Sequence, residues 1–426
     1  MKRAQNQEKT MYKVGEEEIE AIARVIRAGT LFRYHEDSEC ARFETRCAEA
    51  IGVKHFDLAA SGTLGLSAGL IGLGIGPGDE VLVPAHTYMA TATSVLAVGA
   101  IPVLVEIDET LTIDPKAMEN VIGPATRAVI PVHMWGTACA MDAIMDIAGR
   151  RGLLVLEDAC QGVGGGYKGR MMGSIGHAGA FSFNYFKNMT SGEGGGIATN
   201  DDRVAERARC AIDPCHFYWQ GQEEGLRPFA GAGARASELM GAMLNVQLDR
   251  IADIVAAMRA NRRRLLDATL GLSNQGLRLS PMNSPDHDCA AQLICILPTA
   301  ATADSFAART GGIVAGKTGR HTFVNWDQVL TQEGAHHVAL NPYALPQNAQ
   351  TRRDLPDGFG QTSLDILKRS VMIPMDPDHS ENDLEAMAHN IRLAAAEIDD
   401  GGLRPGQAYR EMKSPDLQKF DAQSES

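Results

Sequence analysis

Between residues 55 and 200 the chain alternates short apolar runs with stretches whose apolar positions recur at helical spacing. The runs at 56–59, 81–84, 102–107, 128–132, 153–157, 178–183 and 196–199 read as strands. Several have no polar alternate position, as expected of strands covered by helices on both faces. Helix-like stretches near 63–73, 89–98, 115–122 and 139–151 separate them. A first helix is read at 16–28, where Ile19, Ile22 and Ile26 recur at i, i+3 and i+7 and Gly29 follows as a stop. Repeated strand–helix–strand units predict an α/β fold with a mostly parallel sheet. Ligands of such sheets gather at the carboxyl ends of the strands.

The pattern changes after about residue 235. A long helical stretch at 237–270 carries a basic patch at 259–264, a further strand is read at 292–298, and a last helix at 382–398. With 426 residues, the expected division is an N-terminal helix and large domain at 1–250, a smaller C-terminal domain at 251–400, and a polar tail at 401–426.

Charge narrows the partners. Forty basic residues against 53 acidic ones leave a net charge of −13, which argues against general nucleic-acid binding, since phosphate neutralisation needs a basic face. The stretch 81–105 has no formal charge and is long enough to span a bilayer. It also holds Pro84, Pro102, Gly99, His86 and four hydroxyl side chains (Thr87, Thr91, Thr93, Ser94), so it reads as buried strand, loop and helix instead of membrane. Eight scattered cysteines lack metal or disulfide spacing, and the N-terminus has no apolar signal core. A cytoplasmic protein with reduced thiols and no metal is expected.

Three places carry candidate chemistry. Ser61-Gly62-Thr63 follows a strand and opens a helix, an arrangement that serves either as an anion site or as a plain helix cap. Asp158 lies at the carboxyl end of the fifth strand, with Gln161 beyond it. Lys187 sits among Tyr185 and Phe186 before a glycine-rich turn. An apolar setting there favours a neutral amine suited to Schiff-base chemistry, and the alternative is an ordinary surface lysine. Together an anion turn, a buried-strand carboxylate and an amine meet the needs of pyridoxal phosphate.

With these residues in place, the chain resembles the DegT/StrS-type sugar aminotransferases, fold-type I pyridoxal-phosphate enzymes. The likeness runs over residues 15–398 through SGT at 61–63, GPGDEVLVP at 76–84, HTYMATA at 86–92, PVHMWG at 131–136, LEDACQ at 156–161, GAFSFNYFKN at 179–188 and GEGGGIATND at 192–201. It implies an aspartate-aminotransferase-like fold, with a seven-stranded sheet, helices on both faces and a smaller α/β domain. It also implies a homodimer with shared active sites. Lys187 would attach the cofactor and shuttle protons, Asp158 would pair with the pyridine nitrogen, and Gln161 would bond the phenolic oxygen. Ser61, Gly62, Thr63 and Ser182 would hold the phosphate, and Tyr88 would stack on the ring. Arg33, Tyr34, Arg235 and His321 are candidate substrate contacts; His216, Tyr218 and Trp219 are either further contacts or core aromatics.

Two departures stand out: Gly233 occupies a position where the family usually has Asn, and His177 one where Asp is common. Retention of Lys187 favours an aminotransferase, with pyridoxamine phosphate as its intermediate cofactor form. Glutamate or glutamine would be the donor. The acceptor would be an oxo-sugar: a keto nucleotide sugar, an oxidised octulosonic acid or an inosose. The resemblance is nearest the octulosonic-acid and inosose branches. The rival readings are a sugar dehydratase of the same family and a non-catalytic binding protein.

Overall fold

The computed structural model describes residues 13–221 and 227–398, so the expected tail at 401–426 lies outside the described residues. Seven strands form the main sheet: β1 (His55–Ala59), β2 (Glu80–Pro84), β3 (Ile101–Val105), β4 (Thr126–Val129), β5 (Leu154–Asp158), β6 (Ala178–Ser182) and β7 (Gly195–Thr199). Their order is β1-β7-β6-β5-β4-β2-β3. All neighbouring pairs are parallel except those of β7, which runs antiparallel to both β1 and β6. Every expected strand is present to within a few residues, and the apolar runs are buried on both faces.

Helices connect the strands. In chain order they are α1 (Glu16–Ala28), α2 (Glu39–Ile51), α3 (Gly62–Gly72), α4 (Ala90–Ala97), α5 (Pro115–Asn120), α6 (Met141–Arg151) and α7 (Asp202–Ile212). The uncharged stretch 81–105 is β2, α4 and β3, and among the described residues no helix is long and apolar enough to cross a membrane.

The long stretch expected at 237–270 is two helices, α8 (Glu238–Leu248) and α9 (Ile251–Ala268). The chain turns at Asp249-Arg250, where Arg250 leaves helical packing to pair with Glu17 and Glu18 of α1. The basic patch that follows is internally neutralised: Arg262 grips Asp288 with two bonds of 2.6 and 3.0 Å, while Arg263 and Arg264 pair with Asp286 and Glu381.

A second sheet of four strands follows: β8 (Arg278–Leu279), β9 (Gln292–Ile296), β10 (Ile313–Val314) and β11 (Ser370–Pro374), in the order β8-β9-β11-β10. Its helices are α10 (Ala300–Thr310), α11 (Gln361–Arg369) and α12 (Glu381–Ala396).

The buried face of α1 differs from the one its isoleucine spacing predicts. In α1 the isoleucines Ile19 and Ile26 are more than half exposed, and Glu18, Ala21 and Val25 are buried instead. Small Ala21 lets α1 approach Ala242 of α8, and Glu18 is tolerated inside because Gln247 and Arg250 donate to it at 2.7 Å. Helix α2 lies where the apolar pattern read above places no element. Ser38 caps it, and the buried Glu238 carboxylate accepts the Ser38 hydroxyl and the Glu39 N–H at its positive end.

Candidate active site

The carboxyl ends of β1, β5 and β6 converge where a parallel sheet places its ligands. Ser61, at the end of the β1 segment, caps α3: its hydroxyl accepts from the Leu64 N–H at 3.3 Å and its carbonyl from Gly65. The Gly62 and Thr63 N–H groups precede those and have no intrahelical acceptor, which leaves a positive end facing outward.

Two glycines make the cradle. A Cβ on Gly62 would lie 2.8 Å from Ser182 Cβ and 3.0 Å from Cys160 Sγ; one on Gly195 would lie 2.3 Å from the Ser61 carbonyl carbon and 2.4 Å from the Gly62 nitrogen. The turn is therefore seated directly on Ser182 of β6 and on β7. The helix-cap reading of Ser61-Gly62-Thr63 is seen directly in the Ser61 bonds.

Asp158 is buried at the end of β5. Its backbone is fixed on both sides, donating to the Pro131 carbonyl at 2.9 Å and accepting from the His133 N–H at 3.1 Å. Its carboxylate accepts from the Cys160 N–H at 3.1 Å and from the Thr91 hydroxyl at 2.8 Å. Directly before it, the fully buried Glu157 accepts from His133 Nε2 and from the N–H groups of Gly173, Ile175 and Gly176 at 2.6–3.0 Å, which staples the loop ahead of β6 to β5. Because His133 Nδ1 accepts from the Cys139 N–H, Nε2 carries the proton.

Lys187 follows β6 and is half-buried, and no hydrogen bond or ion pair to its Nζ occurs among the described residues. Cys160 marks its neighbourhood. Burial, with Asp158 beside it, drives that thiol far above its ordinary range, while the Lys187 charge pulls the other way.

A wall of rings closes the other side. His321 lies between Trp135 and Tyr88, with ring centroids 4.8 and 5.6 Å away. The Trp135 indole donates to His86 Nε2 at 2.9 Å, and His86 Nδ1 donates to the His321 carbonyl at 2.9 Å. Burial lowers His86 to about 3, so it is neutral, and burial also lowers His321. Trp135 itself sits at φ 56°, a region costly for a bulky side chain. That conformation aims its N–H at Gln161 Oε1, 2.9 Å away, which leaves the Gln161 amide nitrogen to donate elsewhere.

The wall joins distant segments. Residues 85–89 pair with 318–323 through Thr87 N to His321 O at 3.0 Å, Phe323 N to Ala85 O at 3.0 Å and a bridge between His86 and Thr322.

The structure thus brings Ser61, Gly62, Thr63, Ser182, Asp158, Gln161, Lys187, Tyr88 and His321 to one region. Arg33, Tyr34 and Arg235 belong to a second cluster at the edge of β1. Arg33 pairs with half-buried Glu44 at 2.6 Å, and Asp213 takes the Tyr34 hydroxyl at 2.6 Å and Arg235 at 3.0 Å. Beside them lies a cavity of about 540 Å³ lined also by Asp57 and Arg209. His216 is buried against Glu206, but Tyr218 and Trp219 are exposed and so are not core aromatics.

His177, the second departure, has a clear role. Its Nδ1 accepts the Val155 N–H at 3.0 Å, the bond a carboxylate would make, and burial lowers its proton affinity. Sequence reading missed Thr91, Trp135 and Gly195. The hydroxyl side chains inside an uncharged run were the available signal for Thr91.

The sequence profile of the DegT/DnrJ/EryC1/StrS aminotransferase family matches residues 12–310. A GDP-perosamine synthase of Caulobacter vibrioides is 42% identical over 220 residues, covering 50% of this chain and 57% of the relative. The spore coat polysaccharide biosynthesis protein SpsC of Bacillus subtilis is 43% identical over 197 residues, covering 46% and 50%. The chain spans about half the length of these curated relatives. An aminotransferase structure from Psychrobacter cryohalolentis superposes with a TM-score of 0.76 at 26% identity, covering 91% of this chain and 98% of that one.

Proposed function

The chain belongs to the DegT/DnrJ/EryC1/StrS aminotransferase family, and on that premise we propose that it is a cytoplasmic, pyridoxal-phosphate-dependent aminotransferase acting on an oxo-sugar. One observation carries the reading: an unpaired amine, a buried carboxylate and a helix-start turn surround a cradle in which a single methyl at Gly62 would collide. The residues fit the cofactor. The Gly62 and Thr63 N–H groups with the Ser61 and Ser182 hydroxyls suit a phosphate, Asp158 suits a protonated ring nitrogen, and the Gln161 amide suits a phenolic oxygen.

When bound, the cofactor supplies an electron sink for the carbon bearing the amino group. Lys187 Nζ would hold the cofactor and, once an incoming donor amine displaces it, the freed amine would be placed to take the proton from the donor carbon and deliver it back to the cofactor side. Asp158 keeps the ring nitrogen charged. Tyr88 would flank the cofactor ring, beside His321 and Trp135.

The donor is glutamate or glutamine. The names of the two relatives, a GDP-perosamine synthase and a spore coat polysaccharide biosynthesis protein, support a sugar acceptor, with a keto nucleotide sugar, an oxidised octulosonic acid and an inosose as the candidates. A homodimer with shared sites is supported by Leu31, Phe32, Tyr218 and Trp219, large apolar side chains at least half exposed near the β1 edge. Retention of Lys187 weighs against the dehydratase reading, and the complete set of Lys187, Asp158 and Gln161 against a non-catalytic one.

The test is the visible spectrum of the purified protein with pyridoxal phosphate, before and after each donor. A band from the lysine-bound cofactor that bleaches with one donor supports the reading and names that donor. Absence of any band refutes it.

A further inference from the structure

We propose that Thr91, oriented by Thr87, is the positioning residue that holds the Asp158 carboxylate in line for the cofactor ring; this rests on the function proposed above. Thr91 lies in the first turn of α4, fully buried, and its Oγ1 is 2.8 Å from Asp158 Oδ2. An ionised carboxylate only accepts, so Thr91 is the donor in that bond.

Thr91 and Thr87 hydroxyls are 2.7 Å apart, and with the Thr91 proton committed to Asp158 the Thr87 hydroxyl must supply the proton between them. The Tyr88 carbonyl, at 3.5 Å, is the longer alternative for Thr87. The result is a directed relay, Thr87 to Thr91 to Asp158, sealed from solvent. With the Cys160 N–H on Oδ1 at 3.1 Å and Thr91 on Oδ2, both carboxylate oxygens are held by a donor. The plane of the carboxylate is thereby set before any ligand arrives.

Thr87 is itself pinned from across the molecule. Its N–H donates to the His321 carbonyl, the same oxygen that accepts His86 Nδ1. The orientation of Asp158 therefore depends on the docking of residues 318–323 against 85–89. A hydrogen bond to a charged group in a water-free site is among the stronger kinds, and in a preorganised site its loss falls on turnover more than on affinity.

Thr91→Val removes the hydroxyl and keeps the shape; Thr91→Ser keeps the hydroxyl and removes the methyl. Three quantities are measured on each holoenzyme: cofactor dissociation constant by visible titration, kcat, and KM for the amino donor. The expected result is a 10- to 100-fold loss of kcat in T91V with donor KM within about threefold, weaker cofactor retention, and recovery to within about threefold in T91S.

Thr87→Val, one step back in the relay, should lose about two- to fivefold and serves if T91V does not fold. Wild-type kcat and cofactor affinity in T91V would overturn the proposal, as would a loss that T91S fails to restore, which would assign the effect to the methyl. A wild-type protein that forms no lysine-bound band fails the proposed function instead, so the two failures are distinct.

Discussion

Replacement of Gly62 by alanine tests the cradle. The added methyl would stand 2.8 Å from Ser182 Cβ, 3.0 Å from Cys160 Sγ and 3.2 Å from Ser182 Oγ. Non-bonded carbons settle at about 3.5–4.0 Å, so the Ser182 contact is short by about 0.7 Å. Ser182 cannot retreat easily, because it ends β6 and pairs with Gly195 on β7. Cys160 is held at its N–H by Asp158.

Overpacking of this kind costs about 1–3 kcal/mol, and the better helix propensity of alanine returns less than about 1 kcal/mol. A net loss of about 1–2 kcal/mol follows for the protein without cofactor, read from its urea midpoint. The larger effect falls on the ligand: moving the turn off Ser182 separates the hydroxyl from the Gly62 and Thr63 N–H donors, and affinity for pyridoxal phosphate should fall at least about tenfold. Adding Cys160→Ala removes the sulfur contact but leaves Ser182, so it should restore only part of the loss. Wild-type affinity in G62A, or full recovery in the double variant, would refute the reasoning.

Lys187→Ala should abolish amino transfer in a coupled assay while leaving the melting temperature of the cofactor-free protein near wild type, because Nζ makes no bond among the described residues. Gly233→Asn should be tolerated within about 1 kcal/mol in a urea titration: its φ of +65° is the conformation Asn accepts best, a Cβ there meets nothing within 4 Å, and the loss of chain freedom in the unfolded state offsets strain. The same variant should bind pyridoxal phosphate more tightly if a neighbouring subunit uses an amide at that place. Arg352→Ala removes the Nε bonds of 3.1 and 3.2 Å from the buried Glu80, which keeps the backbone N–H of residue 352 at 2.7 Å and the Thr126 hydroxyl at 3.1 Å, and should cost about 1–3 kcal/mol. Burial works against the Glu80 charge, but the hydrogen bonds from Arg352 outweigh it and hold the group below its ordinary value. The penalty is therefore full above about pH 4.3, the ordinary glutamate range, and fades as pH falls through the lower folded-state value; a gap that widened in acid would contradict this.

The strands were legible because buried parallel strands leave uninterrupted apolar runs, and with them the place of Asp158 at the end of β5 and of Lys187 just beyond β6. Helix α2 was not, although Cys40, Phe43, Cys47 and Ile51 form its buried stripe. Two of those four are cysteines, weighed as thiols when they act as small hydrophobes. The stripe of α1 misled for the opposite reason: isoleucines looked like the core, and a buried glutamate with remote partners took their place. No local pattern announces that Thr91 faces Asp158 or that Arg33 is spent on Glu44, since both pairs are set by the crossing of elements and not by spacing. The antiparallel sense of β7 is equally silent, because a strand buried on both faces reads the same in either direction.

The pairing of 85–89 with 318–323 also sets when this site can exist. Its contacts span 235 positions of sequence, and contacts of such separation form late because a long loop must close before they repay its entropy. Every residue expected to touch the cofactor has left the ribosome long before residue 321, yet the ring wall and the anchor of Thr87 are still missing. A nascent chain halted after β9 would hold Lys187 and the Ser61-Gly62-Thr63 turn without the 318–323 segment beside 85–89. This wall therefore rests on a stretch that lies beyond the part matched by the family profile.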